Sequence, residues 1–167
     1  MSTNKRVRRS LKKPSTVLDD CRVLSYAFIV PPISFSGHSS LFVNGTEIGP
    51  VPRLAIAEQL HYGDLLVLHC DIDWNVIGVA AGYKSVAKAK RQVERIYPGI
   101  RGAWVDSSIS KRQALACERK MWKGHECSFC NKIPPQFTYH IKSKKATICD
   151  ICIRKFYEII NKEEANV

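Results

Sequence analysis

The feature that most constrains this chain is a pair of Cys-x-x-Cys motifs near its end. Cys127 and Cys130 form the first motif, Cys149 and Cys152 form the second, and eighteen residues separate the two. Zinc takes four soft ligands in a tetrahedron, and each Cys-x-x-Cys turn offers two thiolates to one side of the metal. Two pairs at this spacing are typical of a structural Cys₄ zinc site rather than of a redox dithiol. We therefore expect one structural zinc ion with no open position for catalysis.

The residues between and after the two motifs predict a small unit around the metal. Segments 137–141 and 146–148 have the composition of two short strands, with a lysine-rich tip over 142–145. After Cys152 the sequence continues as an amphipathic helix, which places the second ligand pair at a helix start. Dipoles of the N–H groups at that position favour thiolate.

One segment resembles a known zinc-binding domain. Within residues 125–164, CSFCNK…ATICDICIRKFYEIINKEE is similar to the N-terminal zinc-binding domain of the ClpX protease-associated unfoldase. The similarity includes the CSFC opening, the spacer length, the ICD-x-C second pair and the helix with its Ile-Ile and acidic end. The resemblance implies a treble-clef zinc fold that often dimerises and offers an apolar surface to adaptor or substrate polypeptides. The candidates for that surface are Phe129, Ile133, Phe137, Phe156 and Ile160.

The resemblance does not extend to the rest of the unfoldase. No Gly-x-x-x-x-Gly-Lys-Ser/Thr phosphate loop occurs in the sequence, so ATP binding and ATP-driven unfolding are not expected. The zinc-binding segment is also C-terminal here, where the unfoldase has it at the N-terminus. The sequence before residue 107 resembles no family that we recognise.

The remainder of the chain predicts an α+β protein in four parts. These are a flexible basic arm (1–16), an α+β domain (17–106), a linking helix (107–124) and the zinc-binding domain (125–167). Apolar and β-branched runs predict strands, and Ser85 and Pro98-Gly99 delimit a helix with apolar residues at helical spacing. The expected elements are strands over 21–30, 39–43, 65–70, 75–81 and 103–105, and helices over 86–96 and 111–122.

Charge is distributed unevenly and suggests a polyanion partner as an alternative. The net charge is +11; residues 1–14 carry six basic side chains and no acidic one, and residues 84–126 carry eleven basic against four acidic. Such a field attracts nucleic acid without selecting a sequence, although an ordinary solvated helix face has the same composition. The candidate contacts are Lys5, Arg6, Arg8, Arg9, Lys12, Lys13, Lys84, Lys88, Arg91 and Arg95.

Several reactive residue types have simpler interpretations. The run from His69 to Asp73 ends a predicted strand, and Asp71 and Asp73 are expected to stabilise the turn that follows. The three cysteines outside the motifs are expected to be buried packing residues, because free cysteine is among the most buried residue types. These cysteines are Cys21, Cys70 and Cys117.

These observations favour a non-enzymatic, cytoplasmic, zinc-binding interaction or adaptor protein. No apolar run approaches the ~20 residues of a membrane helix, and the basic N-terminus leads into no apolar signal segment. The expected partner is a second copy of the chain or another polypeptide. The alternative is a nucleic-acid-binding regulator with zinc as scaffold, and the third possibility is an enzyme with its site in the N-terminal domain.

Overall fold

The computed structural model describes residues 12–39 and 41–164, which fall into two compact units. The first unit ends at Leu115 and the second begins at Ala116. This division lies inside the predicted linking helix. Within the described residues the chain is a mixed strand and helix protein with three α-helices. None of the helices in this part is long and apolar enough to cross a membrane.

The first unit is built on an antiparallel sheet. The strands of this unit are β1 (Val17–Leu18), β2 (Cys21–Phe28), β3 (Phe42–Val43), β4 (Thr46–Glu47), β5 (Arg53–Gln59), β6 (Leu65–Cys70), β7 (Val76–Tyr83) and β8 (Val105–Asp106). The strand order in the sheet is β1-β2-β5-β6-β7, and β8 also pairs with β2. A separate short ladder joins β3 and β4.

Strand β5 occupies the middle of the sheet, and the sequence did not predict it. Leu54 and Ile56 pack into one apolar cluster, whereas Ala55 and Ala57 pack into the other. Successive side chains of a strand point to opposite faces of a sheet, so β5 is buried on both sides. A strand that is buried on both sides does not alternate between apolar and polar residues, and that alternation is the pattern by which a strand is usually recognised in a sequence.

Helix α1 (Val86–Ile96) covers one face of this sheet and confirms the predicted bounds. The hydroxyl of Ser85 accepts a hydrogen bond from the Lys88 amide at 3.2 Å, which caps the first turn. Ala89 and Val93 point into the apolar cluster that contains Leu54 and Ile56. Lys88, Arg91 and Arg95 on the other side of α1 are exposed.

Two predicted strands differ in position from the observed ones. The strand expected over 39–43 is reduced to β3, which turns through Asn44-Gly45 into β4. The strand expected over 103–105 is displaced because Ile100–Ala103 forms a 3₁₀ turn, and only Val105–Asp106 pairs with β2. In both places a local turn competes successfully with a weak strand preference.

The turn between β6 and β7 confirms the role expected for Asp71. One carboxylate oxygen accepts hydrogen bonds from the amides of Asp73 (2.8 Å) and Asn75 (2.9 Å). The second oxygen accepts one from the Asn75 side chain at 2.7 Å, which is the main reason that the pKa of Asp71 is lowered. The carboxylate of Asp71 therefore serves the turn.

A buried arginine joins the start of the described chain to the sheet. Arg53 is 2% exposed, and its guanidinium lies 5.2 Å from the centre of the Phe28 ring and 5.1 Å from that of Trp74. Arg53 and the Trp74 indole both donate to the carbonyl of Lys12, at 2.8 and 2.7 Å. Residue 12 of the predicted flexible arm is thus bound to the domain, and residues 1–11 lie outside the described residues.

The three cysteines outside the motifs do not share one environment. Cys21 and Cys70 are buried in the apolar cluster that contains Trp74, as predicted. Cys117 is exposed, so the prediction that it packs in a core is wrong. Its helix, α2 (Lys111–Met121), instead buries Ala114, in a small cluster with Val17 and Leu60.

A buried histidine makes the stability of the first unit depend on pH. His69 in β6 is buried, which lowers its pKa from 6.5 to about 4. Between those values the unfolded chain binds a proton that the folded chain does not, so stability is lost as the pH falls through this range. The loss due to His69 alone reaches on the order of 3 kcal/mol below pH 4.

We expect a His69→Leu variant to lose less stability on acidification than the parent chain. Between pH 7 and pH 5 the difference should be about 2 kcal/mol, because leucine has no proton to bind. Urea unfolding of both chains at pH 7 and pH 5 gives the free energies of unfolding that are compared. Protonation of all other groups affects both chains equally and cancels in the difference. An identical pH dependence in the two chains would contradict the assignment.

The second unit contains β9 (His140–Lys142), β10 (Thr147–Cys149) and α3 (Asp150–Glu164). The two strands form an antiparallel hairpin in which Ile148 lies opposite Ile141. Helix α3 follows β10 without a break. The predicted hairpin and helix are confirmed, although both strands begin later than expected and the helix begins two residues before Cys152.

Candidate metal centre

The four cysteines of the two motifs are positioned by different local structures. Cys127 and Cys130 lie on a loop closed by hydrogen bonds from the Cys127 amide to the Lys132 carbonyl (2.8 Å) and from the Asn131 amide to the Cys127 carbonyl (2.9 Å). Asn131 has a positive φ of 56°, a conformation that asparagine tolerates better than most residues. Cys149 ends β10 and Cys152 lies in the first turn of α3.

The four sulfur atoms come together as a single cluster. All four Sγ atoms lie within 4.8 Å of one another. Cys127 Sγ and Cys152 Sγ are 3.8 Å apart, and Cys130 Sγ and Cys149 Sγ are 3.7 Å apart. A zinc ion with bonds of about 2.3 Å to four sulfurs requires sulfur–sulfur distances of about 3.8 Å. The cluster therefore has the dimensions of a tetrahedral metal site and can hold a metal ion.

Burial and hydrogen bonding differ among the four thiols. Cys127, Cys149 and Cys152 are buried beside the partly buried Phe137 and Ile148, whereas Cys130 is exposed. Burial opposes ionisation of Cys127, but N–H groups of Cys149, Phe129 and Cys130 that bond to its sulfur lower its pKa to about 6. The Cys149 amide lies 3.4 Å from that sulfur.

The other two buried thiols hold their protons more firmly. Burial raises the pKa of Cys149, and burial together with the neighbouring thiols raises the pKa of Cys152 to about 12. Four converging thiolates repel one another, so a cation is needed at the centre to ionise them all. Metal binding at this cluster would accordingly release protons.

The surrounding backbone holds the two ligand pairs against each other. The Ser128 amide donates to the Thr147 carbonyl at 2.8 Å, and the Thr147 amide donates to the Ser128 hydroxyl at 3.0 Å. The Asp150 carboxylate accepts the Thr138 amide at 3.3 Å and pairs with Arg154 at 2.6 Å. These bonds connect the first ligand loop to β10 and the segment before β9 to α3. His125 is exposed and does not belong to the cluster.

The residues predicted to form an apolar surface have different exposures. Phe129 is 59% exposed, Phe156 is 38% exposed and Ile160 is 55% exposed. The rings of Phe129 and Phe156 meet edge to face, with centroids 5.3 Å apart. Phe137 is half-buried beside the cysteines, so only part of it is available.

Ile133 does not belong to that surface. It is 2% exposed, so its apolar area is already withdrawn from water within the folded chain. Tyr157 and Ile159 add exposed apolar area on α3, and Tyr139 and Ile141 add more on and beside β9. The prediction did not include Tyr139 and Ile141 because a short amphipathic strand does not reveal which of its faces is covered.

The basic residues proposed for nucleic-acid binding are only partly described. Lys5, Arg6, Arg8 and Arg9 lie outside the described residues. The side chains of Lys12 and Lys13 are exposed. The four from the α1 region are also exposed, but they line two different cavities. Lys84 and Lys88 border one beside β7, and Arg91 and Arg95 border another beside Trp104.

The fold and the cluster together define a mixed strand and helix protein with a C-terminal Cys₄ site that can bind a metal. Comparison of the chain with protein-family models, with curated proteins and with solved structures gives no match. The similarity to the ClpX zinc-binding domain therefore stays a prediction made from the motifs.

Proposed function

We propose that this protein is a non-enzymatic interaction protein whose C-terminal unit is folded around one structural zinc and pairs with a second copy of the chain. The observation that carries the proposal is an exposed aromatic face on that unit, formed by Phe129, Phe156, Tyr157 and Ile160. Four cysteines saturate a tetrahedral ion, so the zinc would shape the unit and take no part in a reaction.

The residues of the aromatic face form one continuous surface. Phe156, Tyr157 and Ile160 are separated by one and three positions on α3, which places them on one side of the helix. Phe129 extends the same surface from the ligand loop, because its ring contacts Phe156. A unit of this size has too little volume to bury all of its large side chains. Contiguous exposed apolar groups of this kind mark interaction sites.

The charges along α3 favour a second copy as the occupant. Asp150 pairs with Arg154, and Lys155 in the first half of the helix has no acidic partner among the described residues. By sequence, the second half has three glutamates against one lysine, Lys162. Two copies of α3 packed antiparallel about a two-fold axis would bring the basic half of each against the acidic half of the other.

The similarity to the ClpX zinc-binding domain supports the same arrangement. That domain is a treble clef that often dimerises, and the ligand loop, hairpin and helix of this chain follow each other in the order that a treble clef requires. A role as an adaptor that presents the same surface to another polypeptide is the competing use.

We expect the zinc-loaded full chain to sediment as a dimer. The double variant Phe129→Ser, Phe156→Ser should sediment as a monomer. Fully burying one phenylalanine contributes about 1.5–3 kcal/mol. Roughly half of each ring is still exposed in one copy, and each substitution occurs in both copies of the dimer, so each should weaken pairing by roughly tenfold to a hundredfold. Tyr62→Ser removes an aromatic ring that is more exposed still, at 74%, from the first unit and is the control, with no expected effect.

Two outcomes would contradict the proposal. One is a parent chain that stays monomeric at the highest concentration reached, which would leave only the adaptor use. The other is a dimer that both phenylalanine substitutions leave intact, since pairing would then involve a different surface. The metal content of each variant, measured in parallel, separates loss of pairing from loss of zinc.

A further inference from the structure

A second site lies in the first unit, far along the sequence from the cysteines. A cavity of about 390 Å³ is lined by α1, by the 3₁₀ turn and by Trp104, which follows that turn. Its volume is within the range of small-ligand sites. The side chains that give it its chemistry are Lys90, Arg91, Glu94, Arg95, Arg101 and Trp104.

The charge of this cavity is strongly positive and poorly neutralised. Within the described part of the chain, Arg91, Arg95 and Arg101 form no ion pair, and all three are exposed. The one acidic lining residue, Glu94, uses one carboxylate oxygen to accept the Gly99 amide at 3.1 Å. Lys90 alone has an acidic partner, Asp106, at 2.9 Å. Four basic side chains against one carboxylate in the lining leave an excess of positive charge, which favours an anionic ligand.

An aromatic ring gives the cavity a second property. Trp104 is partly buried, and the Lys90 ammonium lies 5.6 Å from the centre of its ring. The indole Nε1 of Trp104 and the second carboxylate oxygen of Glu94 are buried with no hydrogen-bond partner among the described residues. These two atoms are not accessible from the cavity, whose wall is aromatic at Trp104 and cationic at the arginines.

We propose that this cavity binds a nucleotide of a single-stranded nucleic acid, with the base against Trp104 and the adjoining phosphates on Arg91, Arg95 and Arg101. A simple anion would use the arginines but would make no use of the part of the Trp104 ring that lines the cavity. A nucleotide uses both, because every base has a flat face that stacks on an aromatic ring. Arg91 and Arg95 are four residues apart on one helix, about 6 Å along its axis, so two guanidinium groups are available to one strand.

This site is independent of the proposed pairing through α3. All of its residues lie in the first unit, and none belongs to the zinc cluster or the aromatic face. Only two of the basic residues predicted from the α1 region, Arg91 and Arg95, belong to this site, because Lys84 and Lys88 line a different cavity. The arginines and Trp104 are therefore expected to matter more than the total positive charge.

The test is binding of the zinc-loaded full chain to a fluorescein-labelled twenty-nucleotide poly-U RNA, measured by anisotropy across a series of salt concentrations. Trp104→Leu should weaken binding by about tenfold, and Trp104→Phe, which keeps a stacking ring, should weaken it by less than about threefold. The double variant Arg91→Gln, Arg95→Gln should weaken binding and lower the slope of log affinity against log salt by about 1.4, or about 0.7 for each lost phosphate contact.

Arg112→Gln is the matched control, because Arg112 is exposed and lies outside the cavity. The Arg112→Gln variant should bind RNA with nearly the affinity and the salt slope of the unsubstituted chain. The small remaining difference is the loss of one positive charge. If the Trp104 variants lose their fold, the exposed arginine pair still tests the site. Competition by adenosine monophosphate as effective as that by RNA would identify a free nucleotide as the ligand of the same site.

Three results would overturn the proposal. One is RNA binding that is unchanged in both Trp104→Leu and the arginine double variant. Another is a change in log affinity for Arg112→Gln that is half that of the double variant or larger, which would show that only total charge matters, because the control removes one charge and the double variant removes two. The last is that inorganic polyphosphate displaces RNA, and that this binding of polyphosphate is weakened by the arginine double variant but not by Trp104→Leu. The cavity would then be a general anion site.

Discussion

Replacing Cys149 by serine is expected to abolish stoichiometric zinc binding and to unfold the residues around the cluster. Cys149 is fully buried, and its sulfur lies 3.7 Å from that of Cys130. Structural zinc contributes roughly 10–16 kcal/mol to the folding of small peptides of this kind. That is as large as the stability of an entire ordinary domain, so we expect the unit to unfold without the metal. Metal analysis and amide hydrogen exchange of residues 125–160 measure both effects.

Cys117→Ser provides the control for this experiment. Cys117 is exposed and does not belong to the cluster, so its replacement should change neither the zinc content nor the exchange pattern. A strong chelator should reproduce the Cys149→Ser result in the parent chain. Full zinc content and unchanged protection in the Cys149→Ser variant would refute the assignment of this residue as a ligand.

Ile56→Ala is expected to be among the most damaging single substitutions in the first unit. Ile56 lies in the central strand β5, is fully buried, and packs in the cluster that α1 covers. Deleting three buried carbons from such a position costs about 2–5 kcal/mol. For a unit of this size, each kcal/mol lowers the melting temperature by roughly 4–8 °C. Thermal unfolding followed by far-ultraviolet circular dichroism should show the loss.

Zinc content should be unaffected by Ile56→Ala, because all four ligands lie between residues 127 and 152. Val79→Ala is the matched control: Val79 is a β-branched residue of β7 in the same sheet but is exposed. Its substitution should cost less than about 0.5 kcal/mol. Equal losses in the two variants would show that β5 is not the centre of the core.

The elements that sequence predicted well are those specified by neighbouring residues. The bounds of α1 are set by the Ser85 cap and the chain after Tyr97, and both signals are local. The turn at Asp71 is likewise formed by a carboxylate and the amides of the next few residues. The cysteine cluster was predictable because ligand spacing is a direct requirement of the metal.

The features that sequence did not predict depend on contacts between distant parts of the chain. Strand β5 is recognisable only once β2 and β6 are known to flank it. Arg53 is buried because two aromatic rings and the Lys12 carbonyl surround its guanidinium, and none of these is adjacent to it in sequence. An arginine is expected at the surface unless such partners are known.

The candidate site beside Trp104 illustrates the same limit at the level of function. Sequence placed Arg91 and Arg95 on a basic helix, together with Lys84 and Lys88. The sequence did not show that Lys84 and Lys88 line one cavity and Arg91 and Arg95 another. Nor did it show that Trp104 lies beside Arg91, Arg95 and Arg101 in the second cavity. The 3₁₀ turn that returns the chain to α1 makes this connection, and short turns of that kind have weak sequence signals.

The central claim is that four cysteine sulfurs hold one zinc ion, and X-ray absorption at the zinc edge tests it most directly. The purified full chain should contain one zinc per chain, and the absorption fine structure should require four sulfur neighbours at about 2.3 Å and no lighter atom. A first shell that contains nitrogen or oxygen would contradict the claim, as would a metal content well below one per chain after purification in the presence of zinc.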